Sequence, residues 1–547
     1  MPGRRAEPGE VFDYVIVGSG SAGSLLAARL SEESAVTVCL LEAGQRDWHP
    51  FIHLPAGYIK MLQNPAFTWS FRTEPSAGTA GRSIATTHGR VLGGSSSING
   101  LVYNRGQALD FDHWAQSGNR GWSYSDVLPY FRRSEKRLGL ADNTYRGRDG
   151  TLPVTDIDWR HPLCDAFVAG AESLGIPRNP DYNGESQDGV GFYQRVIHRG
   201  LRVSSAKAFL KPALRRPNLS VRTKALATRI ELDGRRATGV SYRRPDGRTA
   251  IAQARREVIL CCGALNSPKL LELSGIGGGA VLREIGVAPV VELPGVGENL
   301  HDHYAVRMTA KVRNVETINE KTRGWRLAKE AALWTLGRPS ILALSPSLVH
   351  VFWKSDMALD RPDLQITFTP ASYREGIAGL LDAYPGMTIG VWQQRPDSAG
   401  YVHAASIDPS VLPRIQPNYL SSSIDQRALL GGVRLARRLF RTDALKPYYD
   451  HEISPDPKLE RDDELLDYVR RMGSTVFHLT GSCRMGPPSD STAVVGPDLR
   501  VHGLEALRVA DASVMPSMPS ANTNAATYMI AEKAADMILG RAIRAED

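Results

Sequence analysis

The sequence predicts an α/β fold in two parts: a dinucleotide-binding domain of Rossmann type and a second, α+β substrate domain built on an antiparallel sheet. Three observations predict it. A glycine-rich turn follows an apolar strand near the N-terminus, alternating apolar segments occupy the region from about 305 to 470, and a strand–turn–helix pattern returns near the C-terminus. At 547 residues the chain also exceeds the size that one hydrophobic core usually serves.

The first element is a strand–turn–helix–strand unit. The apolar strand 14–17 leads into Gly-x-Gly-x-x-Gly, a helical stretch, and a second apolar strand that ends in Glu42. Gly18 allows the tight turn, Gly20 lets the backbone approach a pyrophosphate, and Gly23 lets the helix pack closely against the strand. The helix N-terminus offers N–H groups to phosphates, and Glu42 can accept from a ribose diol. The unit predicts a dinucleotide site, with an ordinary structural turn as the alternative.

The next segment, up to about residue 106, is rich in Gly, Ser and Pro. It is too long for a simple connector, and long irregular segments in enzymes usually carry function. Further along, we expect four strands, at 219–223, 228–233, 237–243 and 257–262. The last leads into a helix that we expect to begin at Ser267-Pro268 and to end at Gly275.

The region from about 305 to 470 changes character. Alternating stretches at 364–368 and 387–392 predict an antiparallel sheet with one covered face. Helices near 323–336 and 424–441 would cover that face. Because the region carries no phosphate-binding signature, it is the candidate substrate domain.

The C-terminal part returns to the first pattern. A short strand, 507–511, ends in Asp511. After a turn rich in Pro and Ser comes a helical pattern from 522 to 539, for which Asn522 or Asn524 is the expected N-cap.

Composition and charge exclude several classes of protein. The formal charge of +8 is scattered among acids, which favours a solvated surface over nucleic-acid binding. No apolar run reaches the ~18 residues that span a bilayer, and the first ten residues read as an irregular lead-in. The five cysteines show no metal-binding or secreted-framework spacing, so we expect a reducing, cytoplasmic location.

Four stretches resemble the glucose–methanol–choline (GMC) family of flavin oxidoreductases over nearly the whole chain. They are 18–42, 89–106 with Asp112 following, 263–277, and the C-terminal pair 478–486 and 509–522. Each matches a family motif, and the four occur in the family's order. The resemblance implies a GMC-type FAD-binding domain of the Rossmann-like class with its substrate domain.

The resemblance implies FAD as cofactor. Some members attach FAD through a histidine, and because Ile98 occupies that place we expect a non-covalent, dissociable cofactor. Trp69 is expected beside the cofactor, Ala227 near adenine, and Asp511 beside the ribityl chain. The implied cofactor-binding residues are Gly18, Ser19, Gly20, Ser21, Ala22, Gly23, Glu42, Ala43, Trp69, Val91, Gly94, Ser95, Asn99, Gly100, Leu101, Val102, Ala227, Asp511, Ala512, Asn522 and Thr523.

The same resemblance divides the chain into interleaved segments. The FAD-binding domain is expected to comprise 1–160 with a flavin-covering loop at about 45–106, then 216–304, then 471–547. The substrate domain is expected to comprise 161–215 and 305–470.

His478 and Asn522 match the family's catalytic pair. A neutral imidazole, with an unperturbed pKa of ~6.5, can take the hydroxyl proton of an alcohol near pH 7. The Asn522 amide could donate to the substrate oxygen. The alternatives are a buried core histidine at 478 and a simple helix cap at 522. His301-Asp302-His303 has the look of a metal pair, but the family has this loop without metal, so we expect no metal site.

The resemblance implies an enzyme that oxidises a small-molecule primary alcohol to the aldehyde. Val476 resembles a small apolar residue that some oxidases of the family place where oxygen meets the flavin, and Phe477 stands where several relatives have another aromatic or aliphatic residue. This likeness implies an oxidase that passes electrons to O2 and releases H2O2. The alternatives are a dye- or quinone-linked alcohol or choline-like dehydrogenase, and a lyase or photodecarboxylase of the same family. We expect no nucleic-acid partner and no membrane span, and the sequence leaves the oligomeric state open.

Overall fold

A computed structural model describes residues 7–374 and 379–541. Strands are numbered along the chain. The first of two seven-stranded sheets contains β1 (Glu7–Val17), β2 (Val38–Glu42), β10 (Leu219–Thr223), β11 (Leu226–Asp233), β12 (Arg236–Arg243), β13 (Thr249–Leu260) and β24 (Leu507–Val509). The second contains β7 (Gly189–Phe192), β16 (Tyr304–Val312), β17 (Val349–Trp353), β18 (Leu364–Thr369), β19 (Gly386–Gln393), β22 (Tyr449–Ser454) and β23 (Ser474–Thr475).

Shorter strands pair outside these sheets. They are β3 (Thr68–Trp69) with β4 (His88–Gly89), β5 (Glu135–Leu138) with β6 (Leu152–Thr155), β8 (Ile197–His198) with β9 (Leu201–Arg202), β14 (Ile276–Gly277) with β15 (Val291–Glu292), and β20 (Tyr401–His403) with β21 (Arg414–Gln416). The α-helices are α1 (Ser21–Leu30), α2 (Pro50–His53), α3 (Tyr58–Leu62), α4 (Ala108–Gln116), α5 (Tyr124–Ser134), α6 (Pro162–Ser173), α7 (Lys211–Ala213), α8 (Gly263–Leu273), α9 (Gly279–Glu284), α10 (Ile318–Lys321), α11 (Gly324–Thr335), α12 (Ser423–Phe440), α13 (Asp462–Met472) and α14 (Asn524–Leu539).

The first sheet has the predicted dinucleotide-binding topology. Its strands run in the order β10, β2, β1, β13, with β1 parallel to both β2 and β13. Because such strands are buried on both faces, they are continuous apolar runs, as in Val15 and Ile16, which are fully buried. The sheet then continues into the antiparallel strands β12 and β11. The predicted α/β class is confirmed.

The first strand is longer than predicted. It begins at Glu7 and pairs with β13 from that point, so the expectation of an irregular lead-in is wrong for residues 7–10. The remainder of that expectation, residues 1–6, lies outside the described residues.

The second sheet is antiparallel, as predicted, but both of its faces are covered. Every residue of β18 and β19 is buried, so the expectation of one exposed face is wrong. One face packs against helix α12, and the other turns toward a cavity shared with the first sheet. Helix α11 does not cover the sheet as expected: Glu330 is its one buried residue in the structure as described.

Two helix starts also differ from the sequence expectation. Helix α8 begins at Gly263, so Ser267 and Pro268 lie inside the helix. The Ser267 hydroxyl accepts from the Cys262 N–H, at the residue that precedes the helix. Its end is as predicted, at the left-handed Gly275 (φ 81°). Helix α14 begins at Asn524 after Thr523, and neither Asn522 nor Asn524 caps it. Across the described ranges, helices are too short or too polar to cross a membrane.

Candidate active site

One continuous cavity extends between the two sheets. Of the residues proposed from the sequence, those that line it are Gly18, Gly20, Ser21, Ala22, Glu42, Ala43, Trp69, Gly94, Ser95, Asn99, Gly100, Leu101, Val102, Ala227, His478, Asp511, Ala512, Asn522 and Thr523. Ser19, Gly23 and Val91 lie behind its wall, where Ser19 and Val91 are fully buried. The structure therefore brings almost the whole proposed set to one space.

The three glycines of the N-terminal turn have distinct surroundings. A Cβ added to Gly18, whose φ is 95°, would lie 2.4 Å from the Cys261 carbonyl oxygen, and one added to Gly23 would lie 1.8 Å from the Gly18 oxygen. A Cβ on Gly20 would meet no atom within 4 Å. Gly18 and Gly23 are needed for the fold, whereas Gly20 leaves open space in the cavity, as the close approach of a pyrophosphate requires.

Glu42 ends β2 at the floor of the cavity. Its carboxylate accepts from the Ser19 N–H (3.0 Å), the Ser19 hydroxyl (2.6 Å) and the Gly44 N–H (2.7 Å). These donors fix the carboxylate in a buried position, although burial raises its pKa. Because each carboxylate oxygen has two lone-pair directions, it keeps capacity for a hydroxyl donor such as a ribose diol.

Two helix N-termini border the cavity without side-chain caps. Helix α1 starts after Gly20 and helix α14 after Thr523, and at neither start does a side chain accept from the first turn. Uncapped N–H groups and the positive end of the helix dipole favour an anionic ligand group. Together with the open space at Gly20, they fit the phosphates and the electron-poor ring of an extended dinucleotide.

The segment around Leu101 carries local backbone strain. Leu101 has a left-handed φ of 68°, and the Asn99 carboxamide stabilises this turn by accepting from the Leu101 N–H at 3.1 Å. The same oxygen accepts from the buried Arg202 at 2.8 Å. These contacts hold the 99–102 backbone against the cavity.

The proposed pair, His478 and Asn522, is brought into direct contact. The Asn522 amide nitrogen lies 3.1 Å from His478 Nε2, although 44 positions separate the two residues. His478 follows β23, which pairs with β16 of the second sheet, whereas Asn522 precedes α14, which packs on α1. The contact therefore joins residues that the two halves of the molecule supply.

A chain of hydrogen bonds fixes the tautomer of His478. His303 Nε2 lies 2.7 Å from the carbonyl oxygen of Gln394, and a carbonyl only accepts, so this nitrogen carries the proton. Burial lowers the pKa of His303 to about 4, which leaves it neutral with a bare Nδ1. That Nδ1 lies 2.9 Å from His478 Nδ1, which must therefore be the protonated nitrogen of its ring.

His478 Nε2 is in consequence the unprotonated nitrogen, and it faces the Asn522 amide in the cavity. Burial, with His303 and His88 nearby, holds the pKa of His478 well below its usual value. The imidazole is thus neutral at physiological pH, with its basic lone pair at a known atom. This arrangement can accept a proton from a hydroxyl group beside Asn522.

Asn522 is oriented from its other side. Its carbonyl oxygen accepts from Gln365 Nε2 at 3.1 Å, and the same Gln365 nitrogen donates to the Tyr193 hydroxyl at 2.8 Å. The amide therefore points its NH2 group toward His478, and a second N–H remains for a ligand oxygen. This orientation is the reason that Asn522 does not cap the helix.

The segment 301–303 has the sequence pattern of a metal-binding pair of histidines. In the structure, Asp302 and His303 of this segment form hydrogen bonds with His478. Asp302 accepts from the backbone N–H of His478 at 2.9 Å and from the hydroxyls of Tyr419 and Thr475. In the part of the chain that the structure describes, no group of three or more His, Cys, Asp or Glu side chains could hold a metal ion. Sequence reasoning missed the contact of His303 with His478, and its signal was this unusual His-Asp-His triplet.

Comparison with known proteins shows the family to which the chain belongs. Models of the GMC oxidoreductase family match residues 12–305 and 396–531. Oxygen-dependent choline dehydrogenase of Brucella ovis is 42% identical over 530 residues, covering 97% of this chain and 96% of that protein. The enzyme of the same name from Staphylococcus aureus is 40% identical, with coverages of 97% and 94%.

Solved structures share the fold. Pyridoxine 4-oxidase from Mesorbium loti aligns with a TM-score of 0.88 and 31% identity, covering 97% of this chain and all of that one (100%). Formate oxidase from Aspergillus oryzae, whose FAD modification has been studied, aligns with a TM-score of 0.90 and 28% identity, covering 98% and 99%. The chain belongs to the GMC oxidoreductase family and is an FAD-dependent oxidoreductase.

Proposed function

We propose that the protein oxidises a primary alcohol to the aldehyde, with His478 as the base that removes the hydroxyl proton. One observation carries the proposal: the unprotonated Nε2 of His478 lies 3.1 Å from the Asn522 amide inside the FAD cavity. An alcohol oxygen placed beside both groups would give its proton to Nε2 and accept the second N–H of Asn522. The same residues would hold the carbinol carbon in a fixed place.

FAD, when bound, supplies the acceptor for the hydride that leaves the carbinol carbon, and passes both electrons to a second acceptor. We propose O2 as that acceptor, with H2O2 as product. The names of the relatives support it, since they include oxygen-dependent dehydrogenases and a pyridoxine oxidase. A quinone- or dye-linked enzyme is the alternative, and the names of the relatives make choline a candidate substrate.

We propose that FAD is bound without a covalent link. The position where some family members have the histidine that attaches FAD is occupied here by the aliphatic Ile98, which lines the cavity. We propose the division of the chain at about 160, 215, 304 and 470 into alternating FAD-binding and substrate segments. We also propose a cytoplasmic location, which is supported by cysteines that are all free thiols.

Anaerobic mixing of the FAD-loaded protein with a panel of primary alcohols tests the activity. Loss of the oxidised flavin absorbance, followed by H2O2 release in air, is the expected result. Flavin that stays oxidised with every alcohol would contradict the proposal and favour a lyase or a light-driven reaction. Reduction by alcohols without reoxidation by O2, but with quinone turnover, would leave the alcohol chemistry intact and replace the acceptor.

The His478→Ala variant tests the base. Flavin reduction by a good substrate should slow by ~100-fold or more, as is typical when a general base is lost, while the FAD content stays unchanged. His451→Ala, which removes a half-exposed imidazole on β22, is the control and should be as fast as wild type. A His478→Ala protein that reduces its flavin at the normal rate would assign the proton acceptor to another group.

The pH dependence follows from the lowered pKa of His478. The base form is the neutral one, so protonation at low pH removes activity. Since the pKa lies well below 6.5, flavin reduction should stay constant down to about that pH and fall only at lower pH. Stopped-flow rates from pH 4.5 to 8 would measure this, and an acid midpoint above 7 would contradict it.

A further inference from the structure

One face of the second sheet forms the cavity wall opposite the FAD-binding half. The register of the central strands places residues in rows across this face. Ala305, Trp392 and Gln365 form one row, and Gln365 donates to the Asn522 carboxamide while the Trp392 ring lies 6.4 Å from that of His478. This first row therefore adjoins the reacting pair.

The next row consists of Arg307, Gly390 and Thr367. Arg307 pairs with Gly390, and Gly390 pairs with Thr367, and all three line the cavity. Because a strand rises about 3.3–3.4 Å per residue, this row lies roughly 7 Å along the strand from the one that contacts Asn522. Gly390 has no side chain, so space is left between the guanidinium and the threonine hydroxyl.

Arg307 is unusual for its position. It lies in the middle of β16, between β22 and β19, where its neighbours Val306 and Met308 are fully buried on the opposite face. Its own side chain is exposed, and that exposure is into the cavity. A guanidinium in such a place needs an anion or acceptors to offset its desolvation.

The described residues supply no such anion. No hydrogen bond or salt bridge of the Arg307 side chain is found among them, and the groups that act on its charge are the phenols of Tyr373, Tyr58 and Tyr468. Although the side chain is open to the cavity, the protein around it desolvates the charge and lowers its pKa, yet a guanidinium stays charged in proteins. Tyr58 and Tyr373 also line the cavity. The Tyr373 hydroxyl donates to the Pro346 carbonyl at 3.3 Å, so Tyr58 is the phenol whose hydroxyl hydrogen can go to an anion bound beside the guanidinium.

Carboxylates that line the described cavity lie on the FAD-binding half. They are Glu42, held by Ser19 and Gly44, and Asp511, held by Gly263, Ser267 and Ser513. A cationic alcohol such as choline would therefore meet a positive charge, and no described carboxylate, at the substrate end. The electrostatics are opposite to those that would select a quaternary ammonium group.

We propose that Arg307 is a specificity-determining residue that binds an anionic group of the substrate, so that the preferred alcohol carries a carboxylate or a similar anion remote from its carbinol. The proposal rests on the alcohol oxidation proposed above and names the substrate class for that site. With the carbinol beside His478 and Asn522, the anion would reach Arg307, with Tyr58, Tyr373 and the Thr367 hydroxyl around it.

Three para-substituted benzyl alcohols test the charge preference at constant shape. They are 4-(hydroxymethyl)benzoate, neutral 4-methylbenzyl alcohol and cationic 4-(aminomethyl)benzyl alcohol, with choline as a fourth compound. We expect kcat/KM for the anion to exceed that for the neutral alcohol by at least about 10-fold, the effect of one charge-assisted hydrogen bond, and to exceed that for both cations by more. Equal values, or a preference for choline, would overturn the proposal.

Variants of Arg307 assign the preference to this residue. Arg307→Gln should bring the ratio of kcat/KM for the anion to that for 4-methylbenzyl alcohol down to about one, and Arg307→Lys should restore part of that ratio. Arg307→Glu should favour the cations. Arg313→Gln, which removes an exposed charge just beyond the same strand, is the matched control and should behave as wild type. A preference that survives Arg307→Gln would refute the assignment.

A binding measurement keeps this inference separate from the proposed activity. The unreactive anion 4-methylbenzoate should perturb the flavin absorbance of the FAD-loaded wild type with a Kd at least about 10-fold lower than that of Arg307→Gln. If no alcohol is oxidised, the proposed function fails, and this comparison still decides the anion site. If neutral alcohols are oxidised but both proteins bind 4-methylbenzoate equally, the activity stands and the anion site is refuted.

Discussion

The imidazole of His303 decides which nitrogen of His478 can act as a base. Its Nε2 donates to the Gln394 carbonyl, and its Nδ1 accepts from His478, so the proton of His478 is held away from the cavity. Since His303 does not line the cavity and contacts His478, it acts as a positioning residue through His478. In Ser-His-Asp enzymes, loss of the group that orients the histidine slows the chemistry strongly.

Replacement of His303 should therefore separate positioning from folding. His303→Leu should slow flavin reduction by at least about 10-fold, whereas His303→Gln, whose carbonyl can still accept from His478 Nδ1, should recover part of the rate. The pH profile is the second readout, because loss of the fixed tautomer should alter its acid limb. A His303→Leu protein with an unchanged rate and profile would show that the tautomer is set by another contact.

Local motifs in this chain were predictable, and contacts remote in sequence were not. The roles of Gly18, Gly20 and Gly23 follow from neighbours in one turn. The His303–His478 contact joins residues 175 positions apart, and it depends on how β23 pairs with β16. The sequence also did not predict that the Arg307 side chain faces the cavity, because the alternation of residues along a strand does not reveal which face of the sheet borders a cavity.

At the scale of elements, the glycine turn and helix α1 line the end of the cavity that we propose binds the dinucleotide. Gly20→Ala would place a methyl group in open space, so the apoprotein should fold and melt as wild type does, while its affinity for FAD falls by at least about 10-fold. Gly23→Ala is the matched comparison: its methyl would meet the Gly18 oxygen at 1.8 Å, so we expect misfolding. FAD titration and thermal melts measure both, and a Gly20→Ala protein with normal affinity would contradict the role.

The elements that departed from expectation did so for tertiary reasons. The helix expected near 323–336 was predicted to cover the sheet, yet α11 lies at the surface with Trp325 70% exposed. Asn522 has the chemistry of a helix cap, but its amide is engaged by Gln365 and His478. In each case local propensity was correct about the helix and could not predict its partners.

At the scale of the whole molecule, His403 of β20 ties the hairpin β20–β21 to helix α8. Burial works against its charged form, but hydrogen bonds to Glu272 and Glu298 raise its pKa to about 9. Because the ordinary value is 6.5, the folded protein holds a proton that an unfolded chain releases between these pH values. This stabilisation is complete below about pH 6.5 and is lost as the pH rises through 9.

Thermal melts of His403→Gln should show that dependence. At pH 6 the variant should melt about 2–4 °C or more below wild type, and the gap should narrow by pH 10. His451→Gln, at an exposed position, should show no such gap at either pH. A gap that widens as the pH rises would reverse the sign and contradict the link to His403.

Gly390 has a consequence for engineering. A Cβ there would lie 2.8 Å from the Thr367 hydroxyl. Any larger residue at this position would therefore block the part of the cavity that lies between the His478–Asn522 pair and Arg307. Enlarging Gly390 should convert the protein into a catalyst for short alcohols and leave proton abstraction untouched. Under the proposed anion site, the missing side chain at Gly390 would set the length of alcohol that can extend from His478 to Arg307.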